Sequence, residues 1–443
     1  MNKMRYGFCL GATALAWAFS GGTTPAGAQS TSAAGSTPAS ASALDAVITY
    51  GQTLKNNGIY FRLGYVENVA SLVSGGLQKG TMPIGHVYFG TDLDLQTILG
   101  IPGASFHISF DERYGTSINK IAGTQGPLQA HAGPIALRLG EFYWEQGFDN
   151  DRLDIIVGRT NPTFDFAFPD VACEFVSSII CNQPGSWYFS NSDQAYPTAT
   201  WGGRVNFAIT PKVYVRAGVY DADPSQGGFR PNGFNWNTAH SVGVFVPVEI
   251  GYQTNFNNAQ YPAKYDLGAY DDATSYTTPS FTTAGGQALG GRSRQGRTAA
   301  WAQFQQTVWR PDRATNQSLT VFGGALVYSG NAPYWGQYYA GILDRAPVAS
   351  RPRDTIGLIG SLYQNNSASH PNKSTQWIFE LNYGVSIVPG VTLKPYTQYV
   401  VAPNHFVTTA TAATKQPADA WVVGFQVAIN FAELLQYPQF IAH

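Results

Sequence analysis

Glu141 and Glu145, in the segment Glu141-Phe142-Tyr143-Trp144-Glu145, are the nearest approach in this sequence to a pair of reacting carboxylates. A glycoside hydrolase holds two such groups about 5–9.5 Å apart, on either side of the scissile bond. On an extended strand these two share one face at about 13 Å by the rise per residue. That spacing fits neither the retaining nor the inverting geometry. The seven histidines (His86, His107, His131, His240, His370, His405 and His443) are scattered, without an HExxH or HxH spacing for zinc. No GxSxG elbow, Walker loop or dinucleotide fingerprint follows a strand. The residues therefore point away from an enzyme, and no cofactor or metal is expected.

Three cysteines occur, Cys9, Cys173 and Cys181. Lys3 and Arg5 precede an apolar stretch from Gly7 to Ser20, and Ala26-Gly27-Ala28 has the small-x-small form of a processing site. Residues 1–28 read as a removable secretory signal, since a membrane anchor needs about 20 apolar residues. Cys9 leaves with it. The remaining pair, Cys173 and Cys181, reads as a disulfide closing a small loop in an exported chain.

Ionisable residues are otherwise sparse. Charged residues make up 12% of the 443, about half the usual share, while Tyr numbers 25, Phe 26, Trp 10 and Gly 48. A formal charge of −1 gives no support for nucleic-acid binding, which needs concentrated Lys and Arg. A Ser/Ala-rich spacer at 29–43 and a short helix at 44–57 lead into residues 58–431, where apolar and polar residues alternate with period two. Trp377, Phe379, Leu381, Tyr383, Val385 and Ile387 share one face, and Ile378, Glu380, Asn382, Gly384 and Ser386 the other. A soluble sandwich turns its apolar face to a core, whereas a membrane barrel turns it to lipid and encloses water with the polar rows. Aromatics at the ends of the apolar rows, Trp377 and Trp421 among them, match an interfacial girdle.

Connection lengths separate the two architectures. Sixteen strands are expected at 58–66, 85–95, 103–111, 135–147, 152–160, 200–209, 212–221, 241–252, 262–270, 299–309, 319–328, 335–343, 354–363, 375–388, 391–401 and 420–431. Links after even-numbered strands tend to be short, and those after odd-numbered ones are often long, notably 112–134, 161–199, 222–240 and 271–298. Outer-membrane barrels have an even strand number, short periplasmic turns and long extracellular loops. The expected fold is all-β, a transmembrane outer-membrane β-barrel of about 16 antiparallel strands.

Several segments resemble the carbohydrate-selective porins of the OprB family. Asp92-Leu93-Asp94-Leu95 runs on through Leu99 to His107; Glu141 to Gln146 is followed by Val157-Gly158-Arg159. The most specific stretch holds Cys173, Cys181-Asn182, Pro184-Gly185-Ser186, Tyr196-Pro197, Ala199-Thr200-Trp201-Gly202 and Ala217-Gly218-Val219-Tyr220. Pro247 to Tyr252, Arg351 to Leu358, Glu380 to Tyr383 and Lys394 to Tyr399 continue it in order. The resemblance implies a bacterial outer-membrane barrel that passes glucose and similar sugars. It departs at 253–298, which match poorly, and at the C-terminus, where residues 432–443 follow Phe431, the expected final aromatic.

A sugar-selective lumen needs dispersed hydroxyl partners and ring surfaces that bind weakly enough to release. Alternation puts Arg62, Arg204, Arg216, Glu141, Glu145, Glu249, Glu380, Asp92, Asp94 and Lys394 off the lipid face, with Tyr60, Tyr143, Tyr214 and Tyr220. Arg62, Glu141 and Arg204 lead, and Arg216, Glu145, Glu249, Tyr143 and Tyr214 complete the candidate path. The competing reading is that these charges pair across strands and stabilise the wall. Segment 161–199, with Phe164, Phe166, Phe168, Trp187 and Tyr188, is the candidate lid, and Arg159 is placed as its anchor. Expected partners are monosaccharides, with oligosaccharides left open, outer-membrane lipid, the barrel-assembly machinery and a homotrimer by analogy with other porins. The alternatives are a general-diffusion porin and a secreted β-rich binding protein or adhesin.

Overall fold

In the computed structural model sixteen antiparallel strands close into one barrel. They are β1 (Ile59–Gly76), β2 (Gly80–Asp94), β3 (Ala104–Gly115), β4 (Ala136–Phe148), β5 (Leu153–Thr160), β6 (Thr200–Ala208), β7 (Val213–Asp221) and β8 (Val244–Gln253), then β9 (Ala263–Thr277), β10 (Ser293–Trp309), β11 (Ser318–Tyr328), β12 (Tyr334–Arg345), β13 (Thr355–Asn365), β14 (Thr375–Val388), β15 (Val391–Val401) and β16 (Ala418–Asn430). Each pairs with its chain neighbours, and β1 closes the ring on β16 from Gly64 opposite Asn430 to Gly76 opposite Ala418. A helix, α1 (Ala43–Asn56), precedes β1. The structure describes residues 43–440 except 132–135, 193–194, 228–231, 278–279, 283–287, 291–292, 330–331, 367–374 and 405–416. The proposed signal and the spacer ahead of residue 43 lie outside the described residues.

Alternation sorts side chains as a membrane barrel requires. Along β14, Trp377, Phe379 and Leu381 are exposed on the outer wall, while Ile378, Glu380 and Asn382 are buried inside. Trp377 and Trp421 stand exposed near the outer ends of their strands. Phe207, Tyr265 and Trp309 do so near the periplasmic ends, so aromatic girdles ring both boundaries.

Two hairpins run longer than the expected strands. β1 and β2 stay paired to Leu72 opposite Gly80, with only 77–79 between them. β9 and β10 pair out to Thr277 opposite Ser293. Beyond the bilayer the outer face meets water, so polar residues such as Glu67, Ser71 and Ser74 enter both faces and dilute the period-two signal.

The glycines and aromatics form matched pairs on the inner face. Gly64 lies opposite Tyr88, Gly251 opposite Tyr214, Gly268 opposite Trp301 and Gly424 opposite Tyr396. A Cβ added at these glycines would fall 2.0–2.6 Å from the facing ring. The ring lies flat over its neighbour's bare backbone, which lets large aromatics line the wall without filling the lumen.

Segment 161–199 folds into the barrel and builds an apolar core there, which corrects the expectation that polar rows enclose water all round. Trp187 packs its ring edge-on to Phe245, Tyr270 and Trp301 at 5.8, 5.1 and 5.3 Å. Phe175 lies 5.5 Å from Phe322, and Ile179 and Ile180 are fully buried. The inward aromatics of β8 to β13, Phe245, Tyr270, Trp301, Phe322 and Tyr363 among them, belong to the same buried apolar core.

Backbone amides carried into the barrel need acceptors, and the wall supplies them. Glu249 accepts Ala167 N–H at 2.8 Å, and Glu380 accepts Val176 N–H at 2.8 Å and Ser177 N–H at 2.7 Å. Gln337 accepts Ser186 N–H and Asp272 accepts Ser192 N–H, each at 2.8 Å. Lys264 and Lys394 donate to the carbonyls of Phe168 and Glu174 at 2.6 and 2.8 Å.

Cys181 is a free, buried thiol, which overturns the expected bridge to Cys173. The chain between them is tied to the wall at Val176 and Ser177 through Glu380. Cys173 turns its carbonyl towards Lys394 at 3.4 Å, while the Tyr188 hydroxyl donates to the Cys181 carbonyl at 2.9 Å. Separate anchors hold the two residues.

Candidate functional site

Besides a recess along β13 to β16, bordered by Glu174, Thr355, Lys394 and Gln426, the lumen keeps open space along β1 to β6. This space is an open cavity lined by Arg62, Tyr88, Asp92, His107, Glu141, Tyr143, Thr160, Asn161, Phe164, Asp165 and Arg204 among others. Its Arg, His, Asp and Glu residues come one each from β1, β2, β3, β4 and β6, with Asp165 from the inward segment.

Arg62 on β1 stands between two acids. Its Nη2 lies 3.1 Å from Asp92 Oδ1 and 3.0 Å from Glu141 Oε2. Asp92 in turn holds His107 Nδ1 at 2.7 Å, and the two face each other in register between β2 and β3. His107 Nε2 continues to Glu145 at 3.3 Å, and Glu145 lies 3.9 Å from Arg204. Arg204 ends the run against Asp154 and against Asp165, the latter at 2.8 Å. The run is a ladder that links arginines and carboxylates through the His107 ring across six strands. Tyr143 lays its ring on His107, centroids 4.7 Å apart and nearly parallel, so a flat surface borders the ladder.

A bulge aims the acids of β4. Ser109 faces Glu141, yet Phe110 faces Leu139, so Gly140 is an extra residue in the ladder. Below it the odd positions Glu141, Tyr143 and Glu145 point inward; above it Arg138 is buried. Bulges re-aim side chains in this way. A Cβ at Gly140 would press on the Tyr196 ring at 3.1 Å.

The candidate residues divide into two groups. Arg62, Glu141, Tyr143 and Arg204 line the cavity, and Glu145 links its ends. Arg216, Tyr214 and Glu249 stand apart from it. Tyr214 donates to Glu249 at 2.8 Å, Arg216 lies 3.8 Å from the same carboxylate, and Arg216 also donates to the Asp165 carbonyl. These three hold the inward segment. Glu380 and Lys394 do so as well, and Asp94 caps a short helix by accepting Gln96 N–H at 3.0 Å. Arg159 anchors not only the end of 161–199, through the Ala199 carbonyl at 2.7 Å, but also the next outer loop. It donates to the Asn235 carbonyl at 2.6 Å and to Gln226 at 2.8 Å. His107, Asn161 and Asp165 escaped the sequence reading as site residues. His107 sits in register beside Asp92, a signal that alternation carried without weight.

A closed sixteen-stranded antiparallel barrel with a lipid-facing outer wall, an inward-folded loop and a charged passage beside it is an outer-membrane porin. Residues 78–431 match the carbohydrate-selective porin, OprB family, and the chain belongs to that family. It is 26% identical over 392 residues to Porin B of Pseudomonas aeruginosa, covering 79% of this chain and 84% of that protein. In fold it is similar to the high-pH structure of Pseudomonas putida OprB, with a TM-score of 0.75 and 23% identity over 86% of this chain and 96% of that one. The low-pH structure of that protein gives a TM-score of 0.55 at 20% identity, over 86% and 95% of the two chains. The chain is thus a carbohydrate porin of the outer membrane, a channel rather than an enzyme.

Proposed function

We propose that monosaccharides such as glucose cross this porin through the cavity bounded by Arg62, Glu141, Tyr143 and Arg204. The observation that carries the reading is Arg62 paired at about 3 Å with both Asp92 and Glu141, beside the stacked rings of His107 and Tyr143. Two arginines stand among five carboxylates along the ladder, so a solute meets closely spaced fixed donors and acceptors. The hydroxyls of a sugar exchange with these groups, while its C–H face slides on the Tyr143 ring. Because each group already has a protein partner, the sugar is held weakly and can leave.

Liposome swelling with glucose, maltose and arginine tests this on the wild type, Arg62→Ala and Glu141→Gln. Glucose is expected to enter faster than arginine in the wild type and to lose that lead in both variants. An undiminished preference in both would remove the ladder from the sugar path.

The partner readings belong to the same proposal. A homotrimer rests on analogy with other porins, and cross-linking in native membranes decides it. Recognition by the assembly machinery rests on Phe431, the aromatic that directly follows the last strand. Removal of residues 1–28 is read from the charge and small-residue pattern alone, and the N-terminal sequence of the exported protein tests it.

A further inference from the structure

The family match ends at residue 431, and the segment beyond it turns back into the barrel mouth. Asn430 caps one helical turn, Phe431–Leu434, accepting the N–H groups of Ala432 and Glu433 at 3.1 and 3.2 Å. Leu435 N–H returns to the Phe431 carbonyl at 2.9 Å and Tyr437 N–H to the Ala432 carbonyl at 2.7 Å. The tail therefore reverses direction directly below β16.

Two anchors then fix its course. Tyr437 packs on Gly51 of α1, where an added Cβ would come within 2.6 Å of the ring, and lies 6.4 Å from Phe61 on β1. Phe440 lies against the adjoining wall, between β1 and β3. Its ring meets Tyr60 edge-on at 5.2 Å and His107 at 5.6 Å. Together with Gln439 it lines the same cavity as Arg62 and Glu141, and it borders a smaller recess beside Glu145 and Asp154. His107 thus carries Tyr143 on one side and Phe440 on another, so the aromatic surface continues from the ladder to the periplasmic exit.

We propose that Gln439 and Phe440 complete an exit subsite for a monosaccharide and set the size limit of the pore. This rests on the reading of the cavity as the sugar path. A sugar leaving Arg62 and Glu141 passes one C–H face over the Phe440 ring while the Gln439 amide takes over its hydroxyls. The same two side chains narrow the mouth, so an oligosaccharide has to displace the tail. Pore width and the groups lining it set selectivity together.

Three proteins test this: the wild type, Phe440→Ala, and a chain ending at Phe431, which keeps its final aromatic. Each is folded in detergent, checked by heat-modifiable gel mobility, and measured in planar bilayers and by swelling with glucose and maltotriose. Both variants are expected to show a larger single-channel conductance and a higher maltotriose-to-glucose rate ratio. Wild-type conductance and ratio in Phe440→Ala overturn the proposal, and that full-length variant decides alone if the shortened chain does not fold. Arg62→Ala run alongside separates the two readings. A silent Phe440→Ala beside an altered Arg62→Ala removes the tail's role and leaves the ladder standing, whereas silence in both removes the path as well.

Discussion

Glu249 accepts the backbone N–H of Ala167 at 2.8 Å, a bond from the barrel wall to a residue 82 positions earlier in the chain. It marks a division of labour among the inward charges. Some, like Glu249, satisfy amides of the segment folded into the lumen. Others, like Arg62 and Glu141, satisfy one another and border open space. Substitutions in the two groups should therefore fail in different ways.

Glu380 is the stronger of the wall anchors. Its carboxylate accepts Val176 and Ser177 N–H and the side-chain amides of Asn382 and Gln398, at 2.7–3.1 Å. Glu380→Ala leaves the Val176 and Ser177 N–H groups without this acceptor, at about 1–3 kcal/mol for each buried group without a partner, while Asn382 and Gln398 keep the Glu174 and Leu128 carbonyls. The expected outcome is a lower midpoint of heat modification and noisier, larger single-channel currents as the inward segment loosens. A variant with wild-type midpoint and steady currents would show that the apolar packing around Trp187 holds the segment unaided.

Arg62 and Arg204 occupy the same ladder but should respond differently. Arg204 is buried among Asp154, Asp165 and Glu145. Its loss removes the guanidinium that Asp165 and Asp154 share, and breaking a buried pair costs roughly 3–5 kcal/mol. Arg204→Ala is expected to reduce the folded yield. Arg62 keeps 18% of its side chain exposed, towards the cavity, so Arg62→Ala should fold and shift selectivity towards cations. The reversal potential in a KCl gradient reads that shift directly; an unmoved potential would place the ion path elsewhere.

Gly268 faces Trp301, and a Cβ there would lie 2.0 Å from the indole. Trp301 cannot swing away freely, because Trp187 packs on it at 5.3 Å. Gly268→Ala is therefore expected to cost about 1–3 kcal/mol, as overpacking does. Displacing Trp301 disturbs Trp187 as well, so tryptophan emission should shift to the red together with the fall in thermal midpoint. An unchanged spectrum would mean the wall yields by backbone movement instead.

What the sequence made legible follows from what lipid imposes locally. A strand between lipid and lumen must alternate, so Trp377, Phe379 and Leu381 could be placed outside and Glu380 inside from periodicity alone. Connection lengths then ordered sixteen strands. The fate of an inward charge was not legible, because its partner is remote in sequence. Arg62 and Glu141 lie 79 positions apart, and Glu380 and Val176 lie 204 apart. Glu249 and Glu141 look alike on their strands, yet one holds a loop and the other borders the cavity. The tail was equally silent: residues 432–440 have no period, and only their contacts with Gly51, Tyr60 and His107 show where they lie.

The free thiol offers a direct check on how the inward segment is built. Burial pushes the Cys181 thiol up to about 11, and the thiolate is the form that reacts. The sign follows: between pH 7 and 9 the group stays protonated, and the packing around it excludes reagent. A maleimide should leave Cys181 unlabelled in the folded barrel throughout that range. After denaturation, without any reductant, the peptide carrying Cys181 should be labelled completely when read by mass spectrometry. Labelling that appeared only once a reductant was added would restore the bridge to Cys173. Labelling in the native state would mean that the segment opens, and that the lumen beside β8 to β14 is wet for part of the time.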